Sequence, residues 1–117
     1  VFVEKNIAPW RILLSNIAKA GFQAQSTVFK TDALLFLKQY QGEPFDLIFV
    51  DPPYGSEVEN YLLTSILTKG LLAPSGLLIY ERGAQDKPFQ ITSGFKITKE
   101  KAYGDTVLLI LGQTKEE

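Results

Sequence analysis

The sequence predicts an α/β fold: a mixed, mostly parallel sheet that closes on an antiparallel hairpin. Three observations predict it. Short apolar runs of strand length recur along the 117 residues. Between most of them, apolar residues recur at helical spacing. The last two strand-like runs are joined by a Gly104-Asp105 turn with no helix between them. Strands alternating with helices form parallel sheets with right-handed crossovers, and a direct turn pairs neighbours antiparallel.

The elements follow in order. Residues 1–3 are an apolar strand run that stops at Glu4. Trp10, Leu13, Leu14 and Ile17 then fall on one helix face, and Gly21 is a C-terminal stop. Residues 26–29 are β-prone. Thr31 or Asp32 can cap a second helix, in which Ala33, Phe36, Leu37 and Tyr40 repeat the spacing before Gly42 and Pro44 end it. Residues 47–50 are continuously apolar, as in a parallel strand covered on both faces. Val58, Leu62 and Ile66 mark a third helix that closes near Gly70. Pro74-Ser75-Gly76 reads as a turn, followed by a strand at 77–80 and a polar loop at 83–88. Phe95, Ile97 and Thr98-Lys99 alternate as a half-solvated strand, and residues 107–111 are the last strand. Trp10 and Phe36 are expected in the core.

Composition narrows the function. The length suits one domain, residues 1–117, and 45% hydrophobic residues can fill its core. A net charge of -1 argues against binding nucleic acid through a bulk basic field. There is no cysteine and no histidine. Disulfides, the usual zinc sites and Ser-His-Asp or Cys-His nucleophiles are therefore excluded, and no metal is expected. No apolar run approaches the ~20 residues of a membrane span, so no membrane partner is expected and the cytoplasm is the default.

In parallel α/β sheets, ligands bind beyond the C-terminal strand ends. Glu4, Asp32, Asp51 and Glu81 stand at such ends, and three or four carboxylates are expected to converge on one edge. Glu81 and Arg82 read as a surface pair or a substrate contact, with the surface pair preferred. Lys96, Lys99 and Lys101, near Tyr103, could touch RNA phosphate. Alternating lysines on an edge strand more often guard it against pairing.

Asp51-Pro52-Pro53-Tyr54 is the most specific feature. It directly follows an apolar strand run, and two prolines cannot continue a central strand. Each proline also holds the residue before it extended. The result is a stiff turn that presents a carboxylate, the Pro52 carbonyl and an aromatic ring in fixed relation. Two acceptors can bind both hydrogens of an amino group on a base ring and aim its nitrogen at a methyl donor. The carboxylate also stabilises positive charge developing on that nitrogen, and Tyr54 can stack on the ring.

Here the sequence resembles a known family. A D/N-P-P-Y/F motif after the fourth strand marks Rossmann-like amino-methyltransferases. Val3-Glu4-Lys5, Asp32-Ala33, residues 45–54 and Lys101-Ala102-Tyr103-Gly104-Asp105-Thr106 resemble the bacterial guanine-2-amino methyltransferases of small-subunit ribosomal RNA. The resemblance covers nearly the whole chain. It implies an S-adenosylmethionine-dependent enzyme, acting on ribosomal RNA or the assembling small subunit, with Asp51, Pro52, Pro53 and Tyr54 as the catalytic turn. It implies that Glu4 binds the cofactor's ribose hydroxyls, that Asp32 with Ala33 lies by the adenine, and that Asp51 also borders the cofactor. Each acidic residue has a plainer role open to it: Glu4 could cap the helix near Asn6, and Asp32 could be an N-cap.

The family's glycine-rich loop after its first strand has no match, since no G-x-G occurs. The resemblance implies a seven-strand sheet in the order third, second, first, fourth, fifth, seventh, sixth. The six strand runs seen here correspond to all but the first, so the chain is expected to be an N-terminally truncated domain.

Two other classes share features with this one. A DNA adenine amino-methyltransferase shares the tetrapeptide but usually carries a sizeable target-recognition segment. An α/β interaction or receiver-like domain would use Asp51 as a phosphoacceptor, against which Pro52-Pro53 argue. A protein glutamine methyltransferase prefers Asn at position 51, and a carbon-methylating enzyme generally needs a cysteine.

Overall fold

The computed structural model describes residues 1–51, 58–86 and 91–114. The chain divides into two compact units, Val1–Gln41 and Gly42–Glu117.

The first unit holds two short parallel strands and two helices. Strand β1 (Phe2–Val3) pairs with β2 (Val28–Phe29), with Phe2 opposite Val28 and Val3 opposite Phe29. The ladder continues just past both strands, where the Glu4 amide donates to the Phe29 carbonyl at 3.1 Å. Helix α1 (Ile7–Ala20) begins after Asn6 and ends at Gly21, whose φ of 77° is the left-handed stop that favours glycine. Its inward face is Trp10, Leu13 and Ile17. Ile17 is buried and Trp10 only half-buried, so Trp10 is less of a core residue than its spacing suggests. Helix α2 (Ala33–Gln39) stops before Gly42 and Pro44, the expected breakers. It buries Phe36 and Leu37, and the Phe36 ring lies 5.1 Å from both Phe29 and Tyr40.

The second unit is a four-stranded sheet with one helix among the described residues. Its strands are β3 (Phe45–Val50), β4 (Leu72–Gly83), β5 (Phe95–Tyr103) and β6 (Thr106–Gln113), in the order β3-β4-β6-β5. The β3–β4 pair is parallel, and β4–β6 and β5–β6 are antiparallel. This is the mixed sheet with a closing hairpin that the sequence predicts. Within each unit the order agrees with the implied one: third beside second, and fourth, fifth, seventh, sixth.

The expected turn at Pro74-Ser75-Gly76 is absent. Strand β4 continues across it, but residues 73–76 leave the ladder, with Asp46 alone opposite them on β3. While β3 advances from Phe45 to Leu47, β4 advances from Leu72 to Leu77. The Gln113 side-chain amide donates to the Leu72 and Ala73 carbonyls at 2.9 and 3.0 Å, where the chain enters the bulge. A proline is tolerated there because the bulge needs no ladder donor.

Helix α3 (Val58–Thr68) covers one face of this sheet. Leu62, Leu63 and Ile66 are buried with Leu78, Tyr80, Val107, Leu109 and Leu111. Leu78 faces Leu111 and Tyr80 faces Leu109 across the β4–β6 ladder, so these residues share a face. The opposite face is more open: Leu47 is 60% exposed and Phe49 58%. Covering on both faces of β3 is therefore not seen among the described residues, because α3 lies on the other side. Strand β5 is an edge whose residues after Phe95 are all exposed, Lys96, Lys99 and Lys101 among them. The loop expected at 83–88 is a turn at 84–86 after Gly83 ends β4, and residues 87 and 88 lie outside the described residues. No described helix is long and apolar enough to cross a membrane.

Candidate active site

Each unit carries a pair of acidic residues at the C-terminal ends of neighbouring parallel strands. In the first unit the pair is Glu4 and Asp32. Glu4 follows β1, and its Oε1 accepts from the Asn6 backbone N–H at 3.2 Å. Asp32 follows β2, and its Oδ2 accepts from the Leu34 and Leu35 N–H groups at 3.0 and 3.4 Å. Asp32 is therefore the N-cap of α2, and Ala33 is the helix's first residue. The plainer role foreseen for Asp32 is present, while Glu4 bonds the N–H of Asn6, the residue before α1, whose own side chain makes no cap bond. Each of these bonds uses one oxygen of its carboxylate, and the second oxygen takes no part in them.

In the second unit the pair is Asp51 and Glu81. Val50 and Tyr80 are register partners in the β3–β4 ladder, so the next residue on each strand leaves the sheet at the same level. The two carboxyl groups are in hydrogen-bonding contact. Asp51 is exposed and Glu81 half-buried. Burial raises the Glu81 carboxyl above its ordinary value, and the neighbouring Asp51 charge raises it further. A carboxyl so placed holds its proton longer and can share it with Asp51.

The preferred surface pairing of Glu81 with Arg82 is thus not what forms. Arg82 turns to Glu100, with 3.7 Å between its Nη2 and a carboxylate oxygen, and also donates to the Gly83 carbonyl. Neighbouring residues on a strand point to opposite faces, so Glu81 and Arg82 could not act as one group. The signal for Glu81 was present in the sequence. Two apolar runs of equal length, 47–50 and 77–80, each end in an acid.

Behind this edge, α3 contributes Glu59, which is buried and in hydrogen-bonding contact with the Tyr80 hydroxyl. Burial, then Glu59, drives the Tyr80 phenol well above its ordinary value. Pro52, Pro53 and Tyr54, the remainder of the catalytic turn expected from sequence, lie outside the described residues.

The family described as conserved hypothetical protein 95 matches residues 1–112. The chain belongs to this family. Over 81 residues it is 33% identical to ribosomal RNA small subunit methyltransferase D of Haemophilus influenzae, an alignment covering 68% of this chain and 42% of that protein. The chain therefore spans less than half the length of that relative. A conserved hypothetical protein from Streptococcus pyogenes superposes with a TM-score of 0.85 at 26% identity, over 96% of this chain and 69% of that one. A candidate methylase of H. influenzae superposes with a TM-score of 0.79 at 25% identity, over 97% of this chain and 71% of that one. The chain has the Rossmann-like methyltransferase fold, as the resemblance implies.

Proposed function

We propose that the protein transfers a methyl group from S-adenosylmethionine to the exocyclic 2-amino group of a guanine in small-subunit ribosomal RNA. The observation that carries this reading is the position of Asp51. It stands at the C-terminal end of a parallel strand and opens the sequence motif Asp51-Pro52-Pro53-Tyr54, in a chain whose family has a relative named as a small-subunit ribosomal RNA methyltransferase.

The residues of the first unit suit the cofactor. Glu4 and Asp32 end adjacent strands, and their local bonds engage one oxygen each. Two carboxylates so held can accept from the vicinal hydroxyls and the polar edge of a nucleoside, with Ala33 leaving room beside Asp32. The cofactor supplies an electrophilic methyl group, and the chain's own task is to position a weak nucleophile.

Asp51 accepts one hydrogen of the target amino group and the Pro52 carbonyl accepts the other. This grip turns the nitrogen lone pair away from the base ring. Asp51 also stabilises the positive charge that grows on nitrogen. Tyr54 stacks on the base, which must leave its helix to reach the turn. Holding the partners in line supplies much of the rate.

The test is methyl transfer from labelled cofactor by the full-length protein, with small-subunit RNA or particles as acceptor, followed by nucleoside analysis. Label in N2-methylguanosine is expected. Label in adenine, or transfer to DNA alone, overturns the reading.

A further inference from the structure

We propose that Glu81 is a specificity residue, which accepts the N1–H of the target guanine while Asp51 accepts from its 2-amino group. The inference rests on the guanine reading above and deepens it.

Val50 faces Tyr80, so Asp51 and Glu81 emerge side by side from neighbouring parallel strands, and their carboxyl groups touch. Oxygens in hydrogen-bonding contact lie roughly 2.5–3.0 Å apart. That is close to the spacing of adjacent donors on one edge of a purine ring. Asp51 is exposed, so the pair is open on its outer side.

The Watson–Crick edge of a flipped base is what such a pocket reads. Guanine presents two neighbouring donors there, N1–H and the 2-amino group. Adenine presents a 6-amino donor beside an N1 acceptor. A fully ionised carboxylate pair offers two acceptors and complements guanine. A pair that keeps one proton offers a donor and an acceptor, and complements adenine. The protonation of Glu81 therefore decides which purine fits.

The surroundings of Glu81 keep this choice local. On β3 the charged neighbour is Asp51, and on β6 the residue opposite Glu81 is Leu108. Arg82, next on β4, is engaged with Glu100. Among the described residues, Asp51 is the charged group that acts on Glu81. When guanine binds, N1–H and an N2 hydrogen donate to the ionised pair, and any proton that Glu81 holds leaves to solvent. Burial first, and then the Asp51 charge with no donor between the two groups, holds the Glu81 carboxyl above the ordinary glutamate value.

2-Aminopurine separates this role from a structural one. It keeps the 2-amino group but carries an acceptor at N1. The full-length protein and Glu81→Gln are compared on small-subunit RNA assembled with guanine or 2-aminopurine at the mapped target position. The parent is expected to prefer guanine by tenfold or more, since a site built to hydrogen-bond a group rejects the analogue lacking it. The glutamine amide can donate to N1, so Glu81→Gln is expected to lose rate on guanine and gain it on 2-aminopurine, collapsing the preference by about tenfold. In the parent, the preference should also shrink as pH falls through the raised Glu81 value, and in Glu81→Gln it should be flat. Guanine methylation by the parent with an unchanged base preference in Glu81→Gln overturns the Glu81 role and leaves the proposed function standing. Label entering adenine in the parent overturns both.

Discussion

The Tyr80 hydroxyl donates to the Glu59 carboxylate, tying α3 to an interior strand of the second sheet. Both side chains are buried, at 1% and 9% exposure. The contact lies one residue before Glu81 and on the opposite face of β4. It holds the base of the strand end from which the acidic pair emerges.

Tyr80→Phe keeps the ring and removes the donor. A hydrogen bond to a charged group contributes about 2 kcal/mol, and a buried carboxylate deprived of it is costly. Thermal or urea unfolding of the full-length protein should show a loss of that order. The linkage has a definite sign. The folded-state value for Tyr80 lies above the unfolded one, so its contribution is complete below about pH 10 and is lost as pH rises beyond it. Tyr80→Phe should lack that alkaline loss. Parallel pH–stability curves for the two proteins would show that the phenol does not titrate differently in the folded state.

Gly76→Ala tests the bulge in β4. A Cβ at that position would meet the Leu72 Cδ1 at 2.8 Å, the Asp46 carbonyl oxygen at 2.9 Å and the Ala73 carbonyl oxygen at 3.0 Å. Two of these are backbone atoms and cannot swing aside. Overpacking of this kind costs about 1–3 kcal/mol. Denaturant unfolding should report it, and a neutral substitution would mean that the β3–β4 register slips freely there.

Gly76 also shows where the sequence stops being legible. The element order, the mixed sheet, the Asp32 cap and the Gly21 stop could all be read, because each rests on spacing or on a single residue's backbone preference. Pro74-Ser75-Gly76 has turn composition, and a turn and an excursion from a strand ladder use the same residues. Only the partner strand distinguishes them, and Phe45 and Leu47 supply that information from some thirty residues away. The same limit hid the Asp51–Glu81 pair. A sequence places an acid at a strand end, but the neighbouring strand decides which two acids touch. Glu59 was hidden for another reason, since a glutamate five residues past Tyr54 has no pattern that marks it as buried.

Asp51→Ala should abolish methyl transfer and leave cofactor affinity within a few-fold. Removing one preorganised electrostatic contact to a reacting group costs on the order of a hundredfold or more in rate. Single-turnover transfer and cofactor titration measure the two quantities separately. Near-normal turnover would remove Asp51 from the mechanism. Loss of cofactor binding alone would move it to the cofactor side.

Glu4→Ala separates two roles that one side chain can hold together. Its Oε1 accepts from Asn6, the residue before α1, and a local bond of this kind is worth about 1 kcal/mol. The proposed ribose contact would use the carboxylate as an acceptor from hydroxyl groups. If both hold, the variant should lose a little stability and much cofactor affinity, with the transfer rate at saturating cofactor nearly unchanged. Glu4→Gln sharpens the distinction. An amide oxygen can still take the Asn6 N–H, so stability should recover, but the neutral group is a weaker acceptor for two hydroxyls, so affinity should not. Calorimetry on the full-length protein reads affinity, and thermal unfolding without cofactor reads the cap. Equal affinity in the parent and both variants would leave Glu4 with the helix alone.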